Sequence, residues 1–291
     1  MLDKQNYLIK ALALQKEVRV YLINNTKTVN EAIRRHDLWP TSASVLGKVL
    51  AIGQIMGAML KKEQALTIKI NGKGQLGNII VDAYSNGTAR AYVDNPHVSI
   101  SKNAKIDDTY GIGTDGYLDV IKDLKLKDLF TSSIALSGDL AYDFASYFLE
   151  SEQIKTALLF AIKIDTDNSC LVSGAILFQL LPNASEDSIV FLEKVLNEYK
   201  EPSTIFLAND LEHLLTMFFK NDFEILEKMP VFFNCPCSKE HFKRGLISLG
   251  KEELTEIASS NITTEIVCHY CGNKYLFSKE EIHNLIKEIE K

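Results

Sequence analysis

The longest apolar stretch runs from Ala43 to Leu60 and is interrupted by Lys48 and Gln54. A lysine near the middle of an acyl-chain core carries a heavy penalty, so the run predicts a buried helix of a soluble protein rather than a membrane span. Thr41 is placed to cap this helix, and Gly53 and Gly57, four residues apart, allow close packing against a neighbour. Upstream, Val18–Ile23 reads as a strand, and Thr28-Val29-Asn30-Glu31 as a capping box opening a helix that ends near Pro40. Strand-like runs follow at Leu66–Ile70, Asn78–Asp82 and Arg90–Val93, with Asn86-Gly87 as a hairpin turn between the last two. From Asp139, apolar residues at 140, 144, 147 and 148 mark a helix. Ala157–Ile164 and Leu171–Leu181 are unbroken apolar runs, expected to be central strands. The fold class predicted is α+β, an antiparallel sheet covered by helices.

Beyond Pro182 the period becomes helical. After Ser185, Ile189, Leu192, Val195, Leu196 and Tyr199 share one face; after a cap at Asn209, Leu211, Leu214, Leu215, Phe218 and Phe223 share another. Acidic amphipathic helices of this length are marginal unless their apolar face docks on something, so the segment should be the least stable part of the chain. Ser238 and Ser278 are placed to cap two further helices, the second with Ile282, Leu285, Ile286 and Ile289 on one face.

Charge sharpens this division. Residues 1–182 hold 20 bases and 19 acids, residues 183–230 hold 4 and 10, and residues 231–291 hold 8 and 9. The expected organisation is therefore an α+β core at 1–182, an acidic helical linker at 183–230 and a small C-terminal module at 231–291. A net charge of −6 over 291 residues offers no polycation for nucleic acid or anionic lipid. The stretch Met1–Asn6 has no basic run leading into an apolar one, so no signal peptide is expected and the default location is cytoplasmic.

The C-terminal module carries the chemistry. Four of the five cysteines form two close pairs, Cys235-Pro236-Cys237 and Cys268-His269-Tyr270-Cys271, with thirty residues between Cys237 and Cys268. Two such pairs can converge as four thiolates on one tetrahedral Zn²⁺, and Gly272 lets backbone amides turn toward the sulfurs. A module of this size has a small core that a metal would staple. The same spacing admits a redox switch, since each pair could also close on itself and nearby Lys239, Lys243 and Arg244 favour thiolate. His241 and His269 lie close but are superfluous beside four cysteines, and Cys170 reads as an inert core thiol. Two rivals remain at this point: a nucleic-acid-binding zinc ribbon, disfavoured by the module's net −1, and a thiol oxidoreductase using Cys268 and Cys271, for which no thioredoxin-like setting is present.

Gly72–Gly77 and Gly111–Gly116 both match a dinucleotide-binding pattern, but each runs into a strand where that motif needs a helix, so both are read as hairpin turns. The six histidines make no recognisable triad with Ser or Cys, and no catalytic residues are expected.

The tail Cys235-Pro236-Cys237-Ser238 … Cys268-His269-Tyr270-Cys271-Gly272-Asn273-Lys274-Tyr275-Leu276-Phe277 resembles the zinc domain of the thirty-three-kilodalton chaperonin family of bacterial heat-shock proteins. The resemblance spans nearly the whole chain: Met56-Gly57-Ala58-Met59-Leu60-Lys61 is similar to that family's long core helix, Gly72–Gly77 to its glycine turn, Ser151-Glu152-Gln153 to its S-E-Q stretch and Gly174–Pro182 to its strand end. Departures are Ala91 between Arg90 and Tyr92, Lys48 where arginine is common, and Pro236 where a charge is common.

What the resemblance implies is a redox-regulated, ATP-independent holdase and no enzyme. In the reduced, inactive form Cys235, Cys237, Cys268 and Cys271 would bind one Zn²⁺ per chain. Oxidation would form the disulfides Cys235–Cys237 and Cys268–Cys271, release the metal and unfold the module and linker. The oxidised form would be a homodimer that binds unfolded or partly folded client proteins, with no nucleic-acid or membrane partner.

Overall fold

The protein is described by a computed structural model covering residues 5–103, 105–199, 201–259 and 263–289. Residues 1–4, on which much of the signal-peptide reading rests, lie outside the described residues. The chain runs β1 (Tyr7–Ala13), β2 (Val18–Asn24), α1 (Thr26–His36), α2 (Pro40–Met59), β3 (Ala65–Asn71), β4 (Ile79–Tyr84) and β5 (Thr88–Val93). Next come β6 (Ser101–Lys102), β7 (Lys105–Ile106), α3 (Asp108–Ile112), β8 (Tyr117–Asp123), β9 (Phe130–Ala135), α4 (Leu140–Glu152), β10 (Thr156–Ile164) and β11 (Cys170–Leu180). Then follow α5 (Glu186–Glu198), α6 (Pro202–Ala208), α7 (Leu211–Phe219), β12 (Phe223–Pro230) and β13 (Phe232–Phe233). The chain ends with α8 (Lys239–Ile247), α9 (Lys251–Ser259), β14 (Thr264–Val267), β15 (Lys274–Phe277) and α10 (Lys279–Ile289). Two compact units divide between Asn234 and Cys235.

In the first unit the predicted sheet is two large sheets, besides the short β6–β7 ribbon. One has the order β10-β11-β2-β1-β12 and is antiparallel throughout; the other has the order β13-β5-β4-β3-β8-β9, antiparallel except where β13 runs parallel to β5. Helix α2 packs against strands of both sheets, which is why it is apolar all round. It is long and apolar enough to cross a membrane by length and composition, yet 89% of that stretch is buried in the protein. Its two polar interruptions are satisfied: Lys48 pairs with Asp108 at 2.5 Å, and Gln54 Nε2 donates to the Gly87 carbonyl at 3.1 Å. A Cβ at Gly57 would lie 2.8 Å from the Tyr84 carbonyl oxygen, so the helix approaches β4 as closely as glycine permits.

Several local expectations need correction. Helix α1 begins at Thr26, and Thr28 is spent on Asn6, whose Oδ1 accepts from both its amide and its hydroxyl. Glu31 pairs with Arg34 and Arg35 instead of closing a capping box. Thr41 lies inside α2 and binds both backbone groups of Ile100. Gly72–Gly77 joins β3 to β4, as a hairpin turn should, but Gly111–Gly116 joins α3 to β8. The two glycine segments lock together through Gly74 N–H to Ile112 O, Leu76 N–H to Gly111 O and Asp115 N–H to Gly72 O. A Cβ on Gly113, at φ +78°, would stand 2.1 Å from the Gly72 oxygen. These glycines serve backbone packing.

The acidic segment docks on the first unit's own sheet. Leu192, Val195, Leu211, Leu214, Leu215, Phe218 and Phe219 pack with Ile9, Val20, Leu22, Ile176 and Phe178 from the face of the β10–β12 sheet turned away from α2. The cap of α7 is Asp210, not Asn209, its side chain accepting from the His213 amide. Phe223 belongs to β12, which pairs with β1 around a bulge at Lys10/Ala11. Tyr7 fastens the segment from β1, its phenol donating to Glu212 and accepting from the Leu211 amide, while Lys228 pairs with the same carboxylate.

Candidate metal centre

The second unit is a two-stranded sheet, β14 and β15, packed with α8, α9 and α10. Its fully buried set is small: Leu246, Leu254, Ala258, Phe277, Ile282 and Leu285, besides Cys268 and Cys271. Ser238 and Ser278 take their expected places, Ser238 Oγ accepting from the His241 amide and Ser278 Oγ from the Glu281 amide. Between the strands, the Cys268 amide donates to the Asn273 carbonyl, while the Cys271 and Gly272 amides both donate to the Cys268 carbonyl. Gly272 adopts φ +70°, the left-handed turn that this close reversal needs.

That turn carries Cys268 and Cys271, and the segment leading into α8 carries Cys235 and Cys237. Their sulfurs converge: Cys235 Sγ lies 3.7 Å from Cys268 Sγ, Cys237 Sγ lies 3.3 Å from Cys271 Sγ, and all four fall within 4.8 Å of one another. Zinc–sulfur bonds of about 2.3 Å in a tetrahedron require sulfurs about 3.8 Å apart. The spacing and the all-thiol donor set therefore fit a metal ion of the zinc type. All four are free thiols, and neither His241 nor His269 belongs to the cluster. Cys170 is buried in the first unit, where burial pushes its thiol up to about 12, so it is inert as expected.

The sulfurs are not equivalent. Cys268 and Cys271 are 4% and 3% exposed, and burial pushes both thiols up, although each sulfur also accepts a backbone amide, from Tyr270 and Asn273 respectively. Cys235 and Cys237 are half-buried. Burial opposes ionisation of Cys237 as well, but hydrogen bonds from Tyr275 and the neighbouring thiols outweigh it and hold the group below the usual thiol range. Tyr275 carries no role in the reading of the sequence. Its hydroxyl lies 3.1 Å from Cys237 Sγ and donates to the Cys237 carbonyl at 3.0 Å. Its place four residues after the second pair, in a strand returning past the cysteines, is the signal that points to it.

Comparison with known proteins agrees with this arrangement along the full chain. The family described as Hsp33 protein matches residues 6–278. The 33 kDa chaperonin of Bacillus velezensis is 41% identical over 288 residues, covering 97% of this chain and 99% of that protein. That of Bacillus cereus is also 41% identical, over 290 residues, covering 98% of this chain and 100% of its own. The crystal structure of the 33 kDa chaperonin of Thermotoga maritima superimposes with a TM-score of 0.90 at 28% identity, covering 99% of this chain and 100% of that one. The matches run through both units, and the chain, with its four-cysteine cluster, belongs to the Hsp33 family of redox-regulated chaperones, holdases rather than enzymes.

Proposed function

We propose that the four cysteines hold one Zn²⁺ per chain in the reduced protein and that their oxidation is the switch that turns on client binding. The convergence of four free sulfurs at tetrahedral spacing carries this reading. When bound, the metal keeps the sulfurs ionised and ties the turn Cys268–Cys271 to the segment before α8. Structural zinc contributes on the order of 10–16 kcal/mol to a small module, whereas a whole domain is stable by about 5–15 kcal/mol. With so few buried residues of its own, the module 231–291 does not outlast the centre.

The disulfides of this reading are Cys235–Cys237 and Cys268–Cys271, the pairing that the family resemblance implies. In the reduced centre two close sulfur contacts run across the pairs, 235 to 268 and 237 to 271. Once the centre opens, only the short chain segments keep sulfurs together, and they favour closure within each pair. The linker 183–230 then melts from the sheet on which it is docked. Its release bares the apolar face formed by Ile9, Val20, Leu22, Ile176 and Phe178, which unfolded or partly folded clients would cover. The oxidised form is a homodimer in this account, and the protein acts in the cytoplasm.

Zinc content, thiol alkylation and aggregation of a model client, each measured with and without peroxide at mild heat, test the proposal. One zinc per reduced chain is expected, freed as two disulfides form and client aggregation is suppressed. Peroxide control that survives replacement of all four cysteines by serine would overturn it.

A further inference from the structure

Three of the four sulfurs accept a hydrogen bond whose donor can be named. For Cys268 and Cys271 the donor is backbone, from Tyr270 and Asn273, and no side-chain change removes it. Cys237 Sγ lies 3.1 Å from the Tyr275 phenol, which is its donor once the sulfur is ionised. The ring is held from two sides. Tyr275 pairs with Ile266 across β14–β15, and its ring lies 5.0 Å from that of Phe242 on α8. The hydroxyl is thereby fixed between Cys237 Sγ, 3.1 Å away, and the Cys237 carbonyl, to which it donates at 3.0 Å. Cys237 is also one of the two half-buried cysteines, where a small oxidant has access.

We infer that Tyr275 is a positioning residue that sets how fast the Cys235–Cys237 half of the centre is oxidised. The inference rests on the zinc-switch reading above. Hydrogen bonds to charged acceptors are about twice as strong as neutral ones. A phenol donating to a thiolate withdraws electron density from the lone pair that must attack the oxidant, and it holds Cys237 against β15. The step it restrains is the two-electron oxidation of Cys237 and Cys235 by peroxide. The Cys237 thiolate attacks one peroxide oxygen, the O–O bond breaks, and hydroxide leaves to give a sulfenic acid. The Cys235 thiolate then attacks that sulfur, the S–S bond forms, the S–O bond breaks and a second hydroxide leaves. Two electrons pass from the two sulfurs to one peroxide, and two protons from water or buffer complete two waters.

The test compares the full-length protein with Tyr275→Phe, which keeps the ring and its packing on Phe242. Zinc release is followed in two ways, with peroxide and with a chelator alone. A sulfur that has lost its donor reacts faster with an electrophile, whereas a merely loosened module gives up metal faster under both conditions. The expected result is release about three- to tenfold faster with peroxide, the size of one lost charge-assisted hydrogen bond at an accessible site, and less than about twofold faster with chelator. Alkylation of samples quenched part-way should find the 235–237 segment oxidised earlier, relative to 268–271, than in the parent protein. Equal acceleration in both assays, or no acceleration in either, would overturn the role of Tyr275. If the parent protein holds no zinc, or peroxide frees none, it is the zinc-switch reading that fails.

Discussion

Lys48 and Asp108 show what a single residue does for the core. Lys48 stands on the apolar helix α2, and its ammonium is matched by the carboxylate of Asp108, which also accepts from Ser44. Both partners are largely shielded, at 24% and 15% side-chain exposure, so removing one strands the other. Replacing Lys48 by Met should destabilise the first unit by about 2 kcal/mol, lowering its thermal midpoint by several degrees while the zinc content stays at that of the parent. Calorimetry with a zinc assay checks both. At this scale the four cysteines were legible, because paired thiols at close spacing have few other uses. Tyr275 was not, because its role depends on strand register and on a hydroxyl aimed at a sulfur, and an aromatic in a strand ordinarily reads as core.

At the scale of elements, the amphipathic period of α5 and α7 is legible in the sequence, but their docking surface is hidden. The partners of α5 and α7 come from β1, β2 and β11, far away in sequence, and no local pattern names them. Strand β12 was missed for a related reason. Its central residues Glu224-Ile225-Leu226-Glu227-Lys228 lack strict alternation, and only pairing with β1 makes them a strand. The Tyr7–Glu212–Lys228 contact ties these parts together. Burial acts to raise Glu212, but hydrogen bonds from Lys228 and Tyr7 outweigh it and hold the carboxyl below its usual value. A carboxylate depressed in the folded state stabilises it above the unfolded pKa and loses that contribution as pH falls through the folded one. The attachment of α7 should therefore be firm at neutral pH and weaken below about pH 4.5. Tyr7→Phe should weaken it by about 1 kcal/mol at neutral pH. Hydrogen exchange of the α7 amides, compared with those of β2, reads both effects.

Across the whole molecule, the two units differ in what supports them. Among the described residues, the first has two large buried clusters around α2 and the five-stranded sheet, and the second has six buried apolar side chains and four sulfurs. On the proposed zinc reading, stripping the metal under reducing conditions should therefore abolish protection of the amides in β14, β15 and α10. Those of α2, β2 and β4 should keep theirs, as residue-resolved exchange with and without chelator would record. The α+β class was legible because apolar runs of strand length alternate with one long buried helix. The division into two sheets was not, since a fully apolar run tells that a strand is covered on both faces but not which neighbour covers it.

The short parallel pairing of β13 with β5 has one more consequence. Phe232 and Phe233 lie in register with Thr88 and Ala89, and the Asn234 amide donates to the Ala89 carbonyl, so the edge of the first unit is hydrogen-bonded up to the residue before Cys235. Heat that frays so short an edge frees the stretch of chain directly ahead of the first sulfur in the sequence.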